Sequence, residues 1–194
     1  VAVTADDKLK PFADHMLNMI REMDANGSEF REGLNFLNGW CAYRFRGNKE
    51  IGWKIHEPDF DQNPYQLTRE DCTYSLRILA QQFLVAEKVG LKPSQLAQVS
   101  CFDQVLHRGV LRDQRVNANR LETRSGEFSG WFLNTPDRTT SEKDDMVTDI
   151  ASLTRMRPGL LPLLLLPVGY CSLIDGNDIK GIGDPQDRIV FRGA

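Results

Sequence analysis

Trp40-Cys41-Ala42-Tyr43-Arg44-Phe45-Arg46-Gly47-Asn48-Lys49-Glu50-Ile51-Gly52-Trp53-Lys54-Ile55-His56 is the stretch that decides the fold class. Apolar and polar residues alternate on both sides of a polar turn at Gly47-Asn48-Lys49-Glu50, the pattern of a β-hairpin. In the second arm Ile51, Trp53 and Ile55 share one face and Lys54 and His56 the other, because successive strand side chains point to opposite sides. On either side of the hairpin the period changes. Over residues 8–24, Phe12, Met16, Met19, Ile20 and Met23 recur at spacings of three and four, which predicts an amphipathic helix ended by Asn26-Gly27. Downstream, Thr68 as N-cap, Glu70 and Asp71 in the first turn, and the run Leu76, Leu79, Phe83, Val85 and Val89 predict a long helix stopped by Gly90 and Pro93.

The C-terminal half reads as sheet with less helix. The expected order is a strand over 96–102, a helical turn over 105–108 closed by Gly109, and extended segments over 110–121 and 128–133. A charged loop over 134–145 then leads to a helix over 147–156 ended by Pro158, a Leu-rich segment and a strand over 170–174. The Gly- and Asp-rich tail after Asp175 reads as loop. The fold class is therefore α+β: two αβ halves, mostly antiparallel sheet with flanking helices. The halves are placed at residues 1–92 (helix, hairpin, helix) and 93–194, or joined in one compact unit. Gly52-Trp53 with Pro58-Asp59 echoes Gly130-Trp131 with Pro136-Asp137 at the same spacing, which raises duplication of one αβ unit.

With 41% hydrophobic and 26% charged residues among 194, the composition is globular and not that of a disordered chain. A formal charge of -3 argues against a nucleic-acid partner, which selects a basic excess. Cys41, Cys72, Cys101 and Cys171 stand singly, in neither zinc nor disulfide-scaffold spacing, and read as reduced thiols. The longest apolar run, residues 160–168, is broken by Pro162 and Pro167 and falls far short of the roughly 20 residues of a membrane helix. No membrane association is expected. Val1 in place of Met leaves a removed upstream signal open, so the cytoplasm is the expected compartment and the periplasm the alternative.

No Walker loop, dinucleotide fingerprint or nucleophile elbow occurs. The cluster His56, Glu57, Asp59 and Asp61 offers an imidazole and three carboxylates, which in a metal-assisted hydrolase would hold a cation or move protons. Its strand end and proline-bent loop favour a solvated acidic loop instead. Asp137, Glu142, Asp144 and Asp145 lack calcium-loop spacing and read as a solvated loop or the acidic half of a protein interface. Arg108, Arg112, Arg115, Arg120 and Arg124 form a basic stretch without interleaved aromatics and read as a polar strand face. Trp40, Trp53 and Trp131 read as core, and His15 and His107 as structural. Neither catalytic residues nor a cofactor is expected; a regulatory protein-binding module is the remaining alternative.

Three stretches carry a family likeness: Val99-Ser-Cys-Phe-Asp-Gln-Val-Leu-His-Arg-Gly109, Ser129-Gly-Trp-Phe-Leu133, and Leu160-Leu-Pro-Leu-Leu-Leu-Leu-Pro-Val-Gly-Tyr170. In that order they resemble the strand and turn, the Ser-Gly-Trp strand and the Pro-Leu-Leu-x-x-Pro-Val-Gly segment of a bacterial immunity-protein domain, family thirty-three of the immunity proteins of polymorphic toxin systems. The likeness covers about residues 96–175. Where the family has a tyrosine- and acid-rich stretch before Ser-Gly-Trp, this chain has the Arg- and Asn-rich residues 115–124. The resemblance implies a non-enzymatic role, binding a cognate toxin or effector and occluding its active site. The acidic loops holding Glu57, Asp59, Asp61, Asp137, Glu142, Asp144 and Asp145 are the candidate partner contacts, suited to a basic cleft; the oligomeric state is left open.

Overall fold

The computed structural model describes residues 1–123 and 126–193. The chain forms two compact units, Val1–Ala80 and Gln81–Ala194. Both combine helices with sheet, as the α+β reading expects.

In the first unit, helix α1 (Lys10–Ala25) buries Met16 and Ile20 from its apolar stripe. A four-stranded antiparallel sheet follows in the order β1 (Asn35–Asn38), β2 (Cys41–Asn48), β3 (Gly52–Pro58), β4 (Thr68–Arg69). The β2–β3 hairpin has the predicted register, with Phe45 opposite Ile55 and Gly47 opposite Trp53. Tyr43, Phe45 and Ile55 are fully buried, and Phe30 stacks on Phe45 at 4.7 Å between ring centroids. Ile51, assigned to the inner face by alternation, sits in the turn and is exposed, because the tight bend ends the pleat before Gly52.

Helix α2 (Thr73–Lys88) begins later than expected. Thr68 and Arg69 are not its first turn but strand β4, paired with Pro58 and Glu57. Asp71 accepts the Thr73 N–H at the true helix start, so the capping acid is present but displaced in register. The division between the two units falls inside α2.

The second unit is built on a seven-stranded sheet. Its strands are β5 (Gln104–His107), β6 (Arg115–Arg120), β7 (Phe128–Asn134), β8 (Met146–Asp149), β9 (Cys171–Asp175), β10 (Asp178–Gly183) and β11 (Ile189–Arg192). Their order is β11-β10-β9-β6-β7-β5-β8, antiparallel except for β5 and β7, which run parallel. Residues 96–102 form no strand, and the expected helical turn at 105–108 is β5 itself. Its partners β7 and β8 come later in the chain, so pairing across distance overrides the local turn signal. The tail after Asp175 is likewise not loop. Gly176 and Asn177 close a two-residue hairpin between β9 and β10, with Gly176 at φ +60° supplying the left-handed geometry this turn requires.

One face of this sheet is buried. Val116, Ala118, Trp131, Leu133, Ile174 and Ile182 face a core completed by helix α3 (Ile150–Met156) and by the proline-punctuated 3-10 segment Pro158–Leu163. Backbone carbonyls of the Leu-rich segment are tied into the unit: Leu161 accepts the Gln82 amide, Leu164 the Trp131 indole N–H, and Leu165 the Ala97 N–H. The sheets of the two units differ in strand number and order, so the Gly-Trp echo marks no shared topology.

Candidate functional site

The first acidic loop is organised around a carboxylate that is not at the surface. Glu57 lies on the inward side of β3 and is fully buried. Its Oε2 accepts the backbone N–H of Ser75 in the first turn of α2 at 2.8 Å, and Arg69 clamps its Oε1 at 2.6 Å. A negative group at a helix N-terminus satisfies an orphan donor and complements the helix dipole. Burial pushes the Glu57 carboxyl above its ordinary range, against the pull of Ser75 and Arg69. Arg69 also reaches Asp61, whose carboxylate is exposed, and Asp59 accepts the N–H groups of Asp61 and Gln62 in an Asx turn.

His56 points the other way, beside Thr68 and Arg46, and burial followed by the Arg46 charge lowers its pKa. The imidazole and the Glu57 carboxylate thus sit on opposite faces of the sheet. Among the described residues no three His, Cys, Asp or Glu side chains are grouped to hold a metal ion.

The second acidic loop is knitted to the basic stretch. Arg115 pairs with Asp137, Arg108 with Asp145 at 3.1 Å, and Arg138 with Asp113 at 3.2 Å. Asp144 accepts the N–H and hydroxyl of Ser141, which holds its carboxyl below the ordinary range. Glu142 is exposed. The loop's charge is largely offset by its own neighbours. The basic stretch is not one polar strand face either: Arg115 and Arg120 alone lie in β6, Arg120 is buried, and Arg124 lies outside the described residues.

The feature that sequence reading missed is the outer face of the seven-stranded sheet. Strand register lines up Val147, Leu106, Phe132, Asn119, Cys171, Gly183 and Ile189 in one row from edge to edge. Leu173, Gly181 and Asn117 form part of the neighbouring row. None of these side chains is charged; the neighbouring row ends on β11 with Arg192, opposite Gly181. Leu106, Phe128, Phe132 and Leu173 are half-buried, and Val147 and Ile189 at the two edges are 50% and 57% exposed. Arg108 lays its guanidinium over the Phe132 ring, 5.1 Å from the centroid, while bonded to Asp145. The second acidic loop therefore borders this face. The alternation in β7 was a readable signal for one strand; the row emerges only once all seven are paired.

Tested against family models, residues 81–184 match that of the Imm33-like domain. The chain belongs to the Imm33-like family. The match begins where the second unit begins and takes in β5 through β10, the Leu-rich segment and most of the outer face. No curated protein and no solved structure matches the chain. Within Gln81–Ala194 of this Imm33-like protein, 14 Lys and Arg balance 14 Asp and Glu, so the acidic excess resides in residues 1–80. No helix among the described residues is long and apolar enough to cross a membrane.

Proposed function

We propose that this chain is an immunity protein that binds a cognate bacterial toxin or secreted effector and neutralises it by occluding its active site. The observation that carries the reading is the Imm33-like match over residues 81–184. The family name speaks of immunity, and occlusion needs surface without chemistry of its own.

The outer sheet face supports it. Seven strands at about 4.8 Å spacing span roughly 29 Å, the width of one side of a standard interface of ~800 Å². An uncharged centre with aromatic and aliphatic residues, bordered by Arg108 and Arg115 and, at the β10–β11 end, by Lys180, Asp187 and Arg192, has the anatomy of a protein contact surface. Asp137, Glu142, Asp144 and Asp145 form the acidic rim beside it, and Asp59 and Asp61 a second acidic contact region in the other unit. Glu57 serves that region by holding Arg69. The protein works where its toxin works; the cytoplasm is the compartment we propose.

Growth of a host expressing the toxin encoded beside this gene tests the reading. Co-expression of the chain restores growth if it is the immunity protein. Unrestored growth, with both proteins soluble, contradicts it.

A further inference from the structure

A trough of about 520 Å³ lies on the outer face of the seven-stranded sheet, at its β10–β11 end. Its floor is the bare backbone of Gly181 and Gly183. Leu173 and Cys171 of β9 stand opposite these glycines on one side, and Arg192 and Ile189 of β11 on the other. Adjacent strands are about 4.8 Å apart, so the two flanking rows are roughly 10 Å apart, room for one ring laid on the backbone.

Gly183 has a packing reason to be glycine, since a Cβ there would lie 2.8 Å from the Cys171 sulfur. Gly181 has no such reason. Its φ lies outside the left-handed region, and a Cβ would meet the Phe191 carbonyl oxygen at an ordinary 3.8 Å. The β-bulge beside it, at Lys180, uses no left-handed residue either. Glycine inside a strand weakens it, and commonly marks a place where a ligand or another chain comes close.

The ends of the trough are oppositely charged. Lys180 and Arg192 lie at the Gly181 end, and Asp187, in the β10–β11 turn, at the Gly183 end. The Lys180 ammonium is 3.8 Å from the Asp178 carboxylate, whereas among the described residues no salt bridge engages Arg192 or Asp187, both of which are exposed. An aromatic ring presents a negative π face to a cation, and a phenol adds an O–H that a carboxylate accepts. Tyrosine carries both on one ring, with an apolar body to set between Leu173 and Ile189.

We infer that this trough is a socket for a tyrosine side chain of the protein partner, its ring laid on Gly181 and Gly183 beside Arg192 and its hydroxyl donating to Asp187. That the partner is a toxin rests on the immunity reading; the socket does not. The volume falls within the roughly 300–1,000 Å³ of ligand sites and holds the ring with the backbone that presents it. A tyrosine seated in such a pocket is the kind of anchor on which interfaces concentrate their energy.

NMR of the full chain tests it, with N-acetyl-tyrosinamide as probe and N-acetyl-leucinamide as its aliphatic control. The tyrosine amide moves the Gly181 and Gly183 N–H signals saturably and binds about two- to fivefold tighter than the leucine amide, the size of one exposed cation–π contact. Asp187→Gly, at a position whose φ of +59° already suits glycine, weakens the tyrosine amide about fivefold. Gly181→Val, which fills the trough where a Cβ has room, abolishes the shift at Gly183. No saturable shift, a leucine amide that binds as tightly, or an undiminished response in Gly181→Val overturns the proposal; should that variant not fold, unaltered affinity in Asp187→Gly does so. The toxin encoded beside the gene separates the socket from the immunity reading. Gly181→Val lowers toxin affinity by about 100-fold. Toxin bound equally well by Gly181→Val overturns the socket, whereas binding of the tyrosine amide without binding of the toxin contradicts the immunity reading alone.

Discussion

The side-chain amide of Gln82 donates to the backbone carbonyl of Leu161 at 2.9 Å, in a position where Gln82 is almost wholly buried. The bond joins the C-terminal part of α2 to the Leu-rich segment within the second unit. That explains why the Imm33-like match starts at residue 81, inside a helix: those last turns belong to the domain's core. Gln82→Ala leaves the Leu161 carbonyl unpaired beside a cavity and lowers stability by about 2 kcal/mol. Urea unfolding checks this, with Gln82→Met as the milder change because it fills the space.

Glu57 gives a second stability prediction. Glu57→Ala strands the Arg69 guanidinium and the Ser75 N–H together and costs about 3 kcal/mol, near the low end for a broken buried pair because Arg69 is partly solvated. The paired change Glu57→Met with Arg69→Met recovers most of the loss in the same unfolding assay. Asp61→Ala, at the exposed end of the same network, changes stability by less than about 1 kcal/mol.

His107 sets a pH dependence. Its ring is buried, Nδ1 accepts the Gly109 N–H at 3.2 Å, and burial lowers its pKa from 6.5. The fold favours the neutral ring, so unfolding takes up a proton. Stability is full above about pH 6.5 and declines as pH falls through the lowered folded value. His56 shifts in the same direction. His107→Asn, which keeps an acceptor near the Nδ1 position, flattens the decline between pH 7 and 5 in denaturant melts; an unchanged slope refutes the assignment.

For the partner surface, Leu173→Asp and Phe132→Asp place charge in the uncharged centre of the outer face and weaken toxin affinity by about 100-fold or more, with Kd read by calorimetry. The reversals Asp144→Lys and Asp145→Lys act at the rim and mainly slow association, by about tenfold at low salt, as surface plasmon resonance would show. If the rim changes dominate Kd and the row changes do nothing, the interface lies on the acidic loop alone.

Much of the fold was legible wherever local chemistry decides structure. The β2–β3 hairpin, α1, and the strand after Gly126 follow from period and turn residues alone. What failed were short elements whose partners are remote. β5 is four residues long and is held by β7 and β8; β4 is two residues long and is fixed by Glu57 and Arg69. The β9–β10 hairpin was readable in principle, since Gly176-Asn177 lies between alternating residues. The acidic cluster was found, but not that one of its members faces inward, because the helix N-terminus receiving Glu57 starts sixteen residues later. The outer face had no sequence signature: Asn119, Cys171 and Gly183 become neighbours only through sheet order.

Titration of the toxin's own catalytic activity with the purified chain tests the central claim most directly. The account predicts a linear fall to zero at one equivalent, with Phe132→Asp moving the curve far to the right. Full toxin activity in the presence of a saturating, demonstrably bound chain would contradict occlusion of the active site, and absence of binding would contradict the immunity reading itself.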